Sequence, residues 1–324
     1  MSPTAYLPPW ANPWRWRYRS PSPLLLSLGM RTNLKSPIQN PKIDTSMLSP
    51  ALDQPKSQPK WVRSLLSPDV LAPIIVGLVL LAAWELAVRL TDTPHYILPG
   101  PILILQTLAT DWPTLFPSWF VTMKIAFTAL VAATLSGLFV AILFAQSKWI
   151  ERSFFPYAVL LQTTPIVAVA PLIIIWLRNN TFAALVVCAW IVAFFPIVSN
   201  TVLGLNSVDP SLANLFKLNK ANRWQTLWHL RLPTSLPYFL AGLRISGGLA
   251  LIGAVVAEFV AGTGGTQSGL AYQILMAGYN LQIPRMFAAL LLITVSGITI
   301  FALLSALSNY LLKDWHASAM KHEN

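Results

Sequence analysis

Charge is what this sequence has least of. Asp, Glu, Lys and Arg make up 10% of its 324 residues, against about 25% in a soluble domain. With 55% hydrophobic residues, that scarcity excludes a soluble globular protein. Cysteine is nearly missing. Cys188 stands alone inside an apolar run, so a disulfide framework is excluded. The four histidines, His95, His229, His316 and His322, are scattered, and none has a second ligand at metal spacing. No phosphate loop is present. Gly262 to Gly265 reads GTGG, without a following GK[ST], a preceding buried strand or an acidic partner. Glu258 lacks the neighbouring histidine or serine of a catalytic acid. Acids inside the apolar runs are too few for a proton relay. No enzyme activity, metal or cofactor is expected, and ATP hydrolysis, if it drives the protein, must come from a separate subunit.

What the sequence has is apolar length. Runs at about 70–88, 121–144, 154–176, 182–203, 238–260 and 285–311 are close to the roughly 20 residues a helix needs to cross a bilayer. They predict an all-α polytopic membrane protein, with six spans over 70–312. Between the first two runs lie YILPGP (Tyr96 to Pro101) and an apolar stretch, Ile102 to Leu108, too short to cross. Residues 1–69 are different material, rich in Pro, Ser, Asn, Gln and Lys, with WRWRYR from Trp14 to Arg19. They read as a disordered cytoplasmic tail whose aromatics could sit on the bilayer interface. The alternative is a tail without function, with translation starting at Met30 or Met47. Residues 313–324 read as a second short cytoplasmic tail.

The formal charge of +11 would suit nucleic acid, but its distribution argues against that partner. Nine of 22 bases precede Val70, and most others fall in short loops. No zinc-type cluster or aromatic RNA-binding motif goes with them. Grouped by predicted side, eighteen share one side, and only Arg89, Lys124, Arg178 and Arg285 lie toward the other. The positive-inside rule then puts both termini and the central loop in the cytoplasm.

That loop, 204–237, is the longest polar interruption between the apolar blocks. Leu212, Leu215 and Phe216 recur at helical spacing after Asp209-Pro210, a cap residue followed by proline at the first helical position. A second helical run from Arg223 to Leu230 is expected to end at Pro233 and Pro237. Two short helices between spans need a protein surface to dock on.

The same stretch resembles the cytoplasmic loop of ABC importer membrane subunits, whose pattern is EAA, three residues, Gly, nine residues, I-x-L-P. Asn214-Leu215-Phe216, Lys220 and Leu230-Arg231-Leu232-Pro233 keep that spacing. The residue types depart from it at Asn214, Leu215, Phe216 and Lys220. Ala221 to Arg244 is similar to the branch importing nitrate, sulfonates, taurine or pyrimidine-type vitamin precursors. The resemblance covers about 70–315.

It implies a type I importer permease in the bacterial inner membrane, paired with a second copy, an ABC ATPase and an extracytoplasmic binding protein. It also implies that Leu212, Leu215, Phe216, Lys220, Arg223, Trp224, Leu232 and Pro233 couple to the ATPase. Lysine lacks glycine's freedom at positive φ. Either the turn at Lys220 is an ordinary one, or the assembly differs locally. An independent secondary transporter or channel is the alternative, but such a carrier has no need of a docking helix pair.

The translocation path is expected among Gln162, Thr163, Thr164, Asn200, Ser246 and Glu258, the polar groups of spans 3 to 5. QTTP, Gln162 to Pro165, breaks backbone bonding inside a span. It can line a path or serve helix packing. Glu258 reads either as a lining group or as a carboxylate paired locally near the outer end. If it faced the path ionised it would repel an anion, which favours a neutral, pyrimidine-like solute over nitrate.

Overall fold

The computed structural model describes residues 68–262 and 268–319. Apart from Pro68 and Asp69, the expected N-terminal tail lies outside them. Helix α1 (Pro68–Leu90) is followed by the short α2 (Pro101–Thr110) and the 35-residue α3 (Trp112–Gln146). Next come α4 (Lys148–Thr163), α5 (Ile166–Trp176) and α6 (Thr181–Asn206). The central loop holds α7 (Pro210–Leu218) and the single turn α8 (Arg223–Thr226). A π-helical turn, Leu227–Arg231, leads straight into α9 (Leu232–Ala261). Helix α10 (Leu270–Tyr279) and the long α11 (Ile283–Ala319) complete the chain.

Among the described residues five helices are long and apolar enough to cross a membrane alone, and α4 with α5 makes up to a sixth if that bent pair is one span. This is a six-span, all-α membrane fold. QTTP marked the place of the break but not its size. The expected continuous span over 154–176 is two helices at 98°. Its cause is Pro165, which lacks an N–H and drives Thr164 to an extended ψ of 123°.

The bundle centre is α6 laid antiparallel against α9, with α3 packed on α6 and, less extensively, on α9. Apolar burial drives little between helices in lipid, so contact depends on small residues that admit close backbones. A side-chain carbon at Gly242 would stand 2.8 Å from the Pro196 carbonyl, and one at Gly253 2.8 Å from the Ala189 Cα. Between those points the Ser246 hydroxyl donates to the Ala193 carbonyl at 2.7 Å. Ala126, Ala129 and Ala133 give α3 a smooth buried face toward α6. Trp190 on α6 ties the two by donating to Ser136 on α3 at 2.9 Å.

The second loop helix does not end at Pro233 and Pro237, contrary to expectation. From Arg223 to Ala261 the chain is one helical run of 39 residues. The π turn accounts for the passage of Pro233, and Pro237 lies inside α9. A proline ring clashes with the carbonyl four residues back and cannot donate. Here Leu232 donates to Leu227, five residues back. The widened turn makes room for the ring of Pro233. At the other terminus α11 keeps its helical backbone to Ala319, past the expected start of the tail at 313.

Candidate functional site

Two regions carry the polar and exposed groups singled out by the sequence. The first is the central loop. Asp209 caps α7 by accepting from the Ser211 N–H at 2.6 Å, with Pro210 at the first helical position. The helix ends with the Ala221 N–H donating to the Phe216 carbonyl and the Lys220 N–H to the Lys217 carbonyl, both at 3.0 Å. This pair of bonds defines a Schellman cap. Lys220 takes the left-handed position in it, with φ of 54°. The lysine thus adopts the conformation that glycine favours, with no change in the turn.

Leu212 and Leu215 lie exposed on α7, Trp224 is exposed on α8, and Phe216 is half-buried. Leu232 and Pro233 are different. They are half-buried in the chain's own bundle, with Leu232 packed on the cluster that includes Leu227 and Val202. The α8 turn is fixed by a capping box, Asn222 to the Gln225 N–H at 2.7 Å and Gln225 back to the Asn222 N–H at 2.8 Å. Arg231 donates to the Ala145 carbonyl at 2.9 Å, and Arg223 to the Gln146 carbonyl at 3.4 Å. Both cations therefore sit on the open carbonyl end of α3, where the helix dipole favours them. The part played by Arg231 was not read from the sequence, because a loop base carries no mark of the helix end it will meet.

The second region is the set of span polar groups. Gln162, Thr163 and Thr164 lie exposed at the α4–α5 break. Both threonine hydroxyls turn back onto the Leu160 carbonyl. Asn200 is half-buried and donates to the Pro196 carbonyl at 2.8 Å. Ser246 is fully buried in the α6–α9 seam described above. Glu258 is only 3% exposed. Its Oε2 accepts from the Thr122 hydroxyl at 3.0 Å and from the Ala271 N–H at 3.1 Å. The structure therefore brings Gln162, Thr163 and Thr164 together and leaves Ser246 and Glu258 in separate helix seams.

A family model described as the inner membrane component of binding-protein-dependent transport systems matches residues 133–315. The chain belongs to that family. The formylaminopyrimidine transport permease ThiX of Halalkalibacterium halodurans is 32% identical over 245 residues, 75% of this chain and 96% of that protein. The riboflavin transport system permease RibX of Chloroflexus aurantiacus is 33% identical over 245 residues, 74% of this chain and 88% of that protein. The crystal structure of an amino acid ABC transporter superposes with a TM-score of 0.53 at 20% identity, over 63% of this chain and 97% of that one. That likeness establishes the fold alone.

The family assignment makes this chain an ABC importer permease and a multi-pass inner membrane protein. The loop end of the permease holds the cations and the exposed apolar side chains just described. The opposite end is knit by longer-range polar contacts. Arg285 at the start of α11 pairs with Asp111 at 2.6 Å. Trp119 donates to Ser296 at 2.7 Å. A groove of about 860 Å³ runs between α3 and α11, walled by residues such as Trp112, Phe116, Phe127 and Leu303. None of the six expected path residues lines it. Among the described residues no group of three or more His, Cys, Asp or Glu could hold a metal ion.

Proposed function

We propose that this permease forms the solute path of an ATP-driven importer, with both termini and the 204–237 loop in the cytoplasm. The observation that carries the reading is α7, a capped amphipathic helix whose Leu212 and Leu215 face away from the bundle. These two, with Phe216, Arg223 and Trp224, meet a separate ABC ATPase subunit, and Lys220 closes the helix that presents them. Leu232 and Pro233 act from behind, by setting the angle at which the loop leaves the bundle. A second copy of the chain packs against α4 and α5. Irregular backbone is tolerated in a bilayer only where protein or a water-filled cavity covers it. The exposed break at Gln162, Thr163 and Thr164 needs such a cover. Those groups, with Asn200, make up the polar wall of the path.

The solute is delivered by an extracytoplasmic binding protein. Glu258 gives no ground for excluding an anion, because its carboxylate is turned into the seam between α3 and α10. The solute class rests instead on the relatives. The formylaminopyrimidine and riboflavin permeases share 32% and 33% identity with this chain, against 25% for a nitrate permease. A pyrimidine-like vitamin precursor is the better reading, and nitrate, sulfonates and taurine are the competitors. The test is uptake by vesicles holding the full complex and its binding protein, over formylaminopyrimidine, riboflavin, nitrate, an alkanesulfonate and taurine. Uptake of a pyrimidine-type compound is expected, abolished by Phe216→Asp while the protein still inserts. Preferential nitrate uptake would refute the solute class, and normal uptake by Phe216→Asp would refute the docking site.

A further inference from the structure

Helix α10 has no cap of its own. Gly269 stands at its N-cap position and offers no side chain to the first turn. The missing acceptor comes from another helix. The Glu258 carboxylate of α9 takes the Ala271 N–H, and the Thr122 hydroxyl of α3 takes the Leu270 N–H at 2.9 Å. Thr122 and Glu258 are themselves joined at 3.0 Å. A third tie joins Gln273 to the Ser118 hydroxyl at 3.0 Å. Glycine is required at 269 for a steric reason, since any side chain there would collide with the Glu258 carboxyl. A parallel arrangement holds the other short helix at this end. Glu85 of α1 accepts from the Ile102 N–H of α2 at 3.2 Å, next to an uncapped glycine, Gly100.

The two carboxylates differ in one respect. Glu85 is neutralised by Arg89 at 2.7 Å. Glu258 has no cation among its described contacts, and its Oε1 is buried without a hydrogen-bond partner. Such burial opposes the very contact that caps α10. Seated, α10 gains its cap at the expense of desolvating the carboxylate. Unseated, it loses the cap and the carboxylate regains water. The two terms oppose each other in the seating of α10.

We propose that Glu258 is a positioning residue of transport, which with Thr122 latches α10 against the outer end of the bundle until a binding protein engages. The inference rests on the importer reading above. It gives Glu258 a task other than lining the path.

The test compares ATP hydrolysis by the complete importer in vesicles with and without its binding protein. For Glu258→Ala and Thr122→Val the expected result is raised hydrolysis without binding protein. The stimulation ratio should fall about fivefold, the low end of ordinary allosteric coupling. Thr122→Ser, which keeps the hydroxyl, should restore the ratio. A merely structural defect would lower both rates alike and leave the ratio unchanged, and that result overturns the latch. Ser118→Cys with Gln273→Cys covers the case in which Glu258→Ala does not assemble. Joined by a short bifunctional thiol reagent, this pair should abolish stimulation, and cleavage of the link should return it. Full stimulation with α10 cross-linked also overturns the proposal. If wild-type hydrolysis does not respond to the binding protein, the importer reading itself fails, and the latch with it.

Discussion

Three non-glycine residues among those described have positive φ: Asp92, Lys220 and Leu281. Each follows the end of a helix, and Lys220 and Leu281 are flanked by the crossed bonds of a Schellman cap. For Leu281 these bonds run from Leu281 to Gly278 and from Gln282 to Ala277. A side chain in that conformation costs roughly 1–2 kcal/mol. Lys220 is the instructive case, because its family counterpart is glycine. Lys220→Gly should therefore raise the stability of the loop by about 1 kcal/mol. Coupling should be unchanged, since the lysine side chain is exposed and makes no described contact. Thermal unfolding of the purified permease, followed by ATPase co-purification, measures both. Lower stability would mean that the Lys220 side chain contributes a contact worth more than the strain.

At the scale of elements, α3 and the α8–α9 run meet through two arginines and two carbonyls. Hydrogen bonds from charged donors contribute about 1.5–3 kcal/mol where they are shielded from water. Arg231 is half-buried, and Arg223 is exposed with a longer contact. Arg231→Ala should thus destabilise the permease by about 1–2 kcal/mol, with Arg223→Ala near neutral. Denaturation of each variant in detergent distinguishes them, and equal losses would contradict the ranking.

The elements were legible to differing degrees. The six apolar runs and the Asp209-Pro210 start of α7 could be read because length and capping chemistry are local properties. The π turn could not. Pro233 and Pro237 look like a stop, but the extra residue in the Leu227–Arg231 turn lets the helix pass Pro233, and Pro237 is carried inside α9. The break at Pro165 was half legible, since QTTP marked the loss of backbone bonding there but not the 98° turn between the two helices. From span and depth Ser246 read as a path residue, and Glu258 as either a path residue or a locally paired carboxylate. Which face of a helix they occupy depends on Ala193, Thr122 and Ala271, partners 13 to 136 residues away.

The whole molecule has a polarity that a single pair of fusions can check. Ala145, Gln146 and Arg231 meet at one end of the bundle, and Thr122, Glu258 and Ala271 at the other. With the loop in the cytoplasm, a reporter after residue 225 should be active only in its cytoplasmic form, and one after residue 280 only in its external form. The reverse pattern would invert the orientation and remove the ATPase from reach of α7. Such fusions report topology whether or not the solute is known.

The unbroken run from Arg223 to Ala261 has a mechanical meaning. At about 1.5 Å per residue, its 39 residues make a rod of about 58 Å. The hydrocarbon layer it crosses is about 30 Å thick. One end carries Trp224 at the central loop, and the other carries Glu258 beside α10. The π turn and Pro237 near the loop end are where it can bend; beyond them, a tilt is delivered to the far end as a displacement rather than lost in bending. Stiffness becomes the quantity that links the two ends. A Gly-Gly pair at the exposed positions Ala241 and Ile245 would soften the rod without touching either end. ATP binding and solute capture should then each proceed normally in isolation, with the link between them gone.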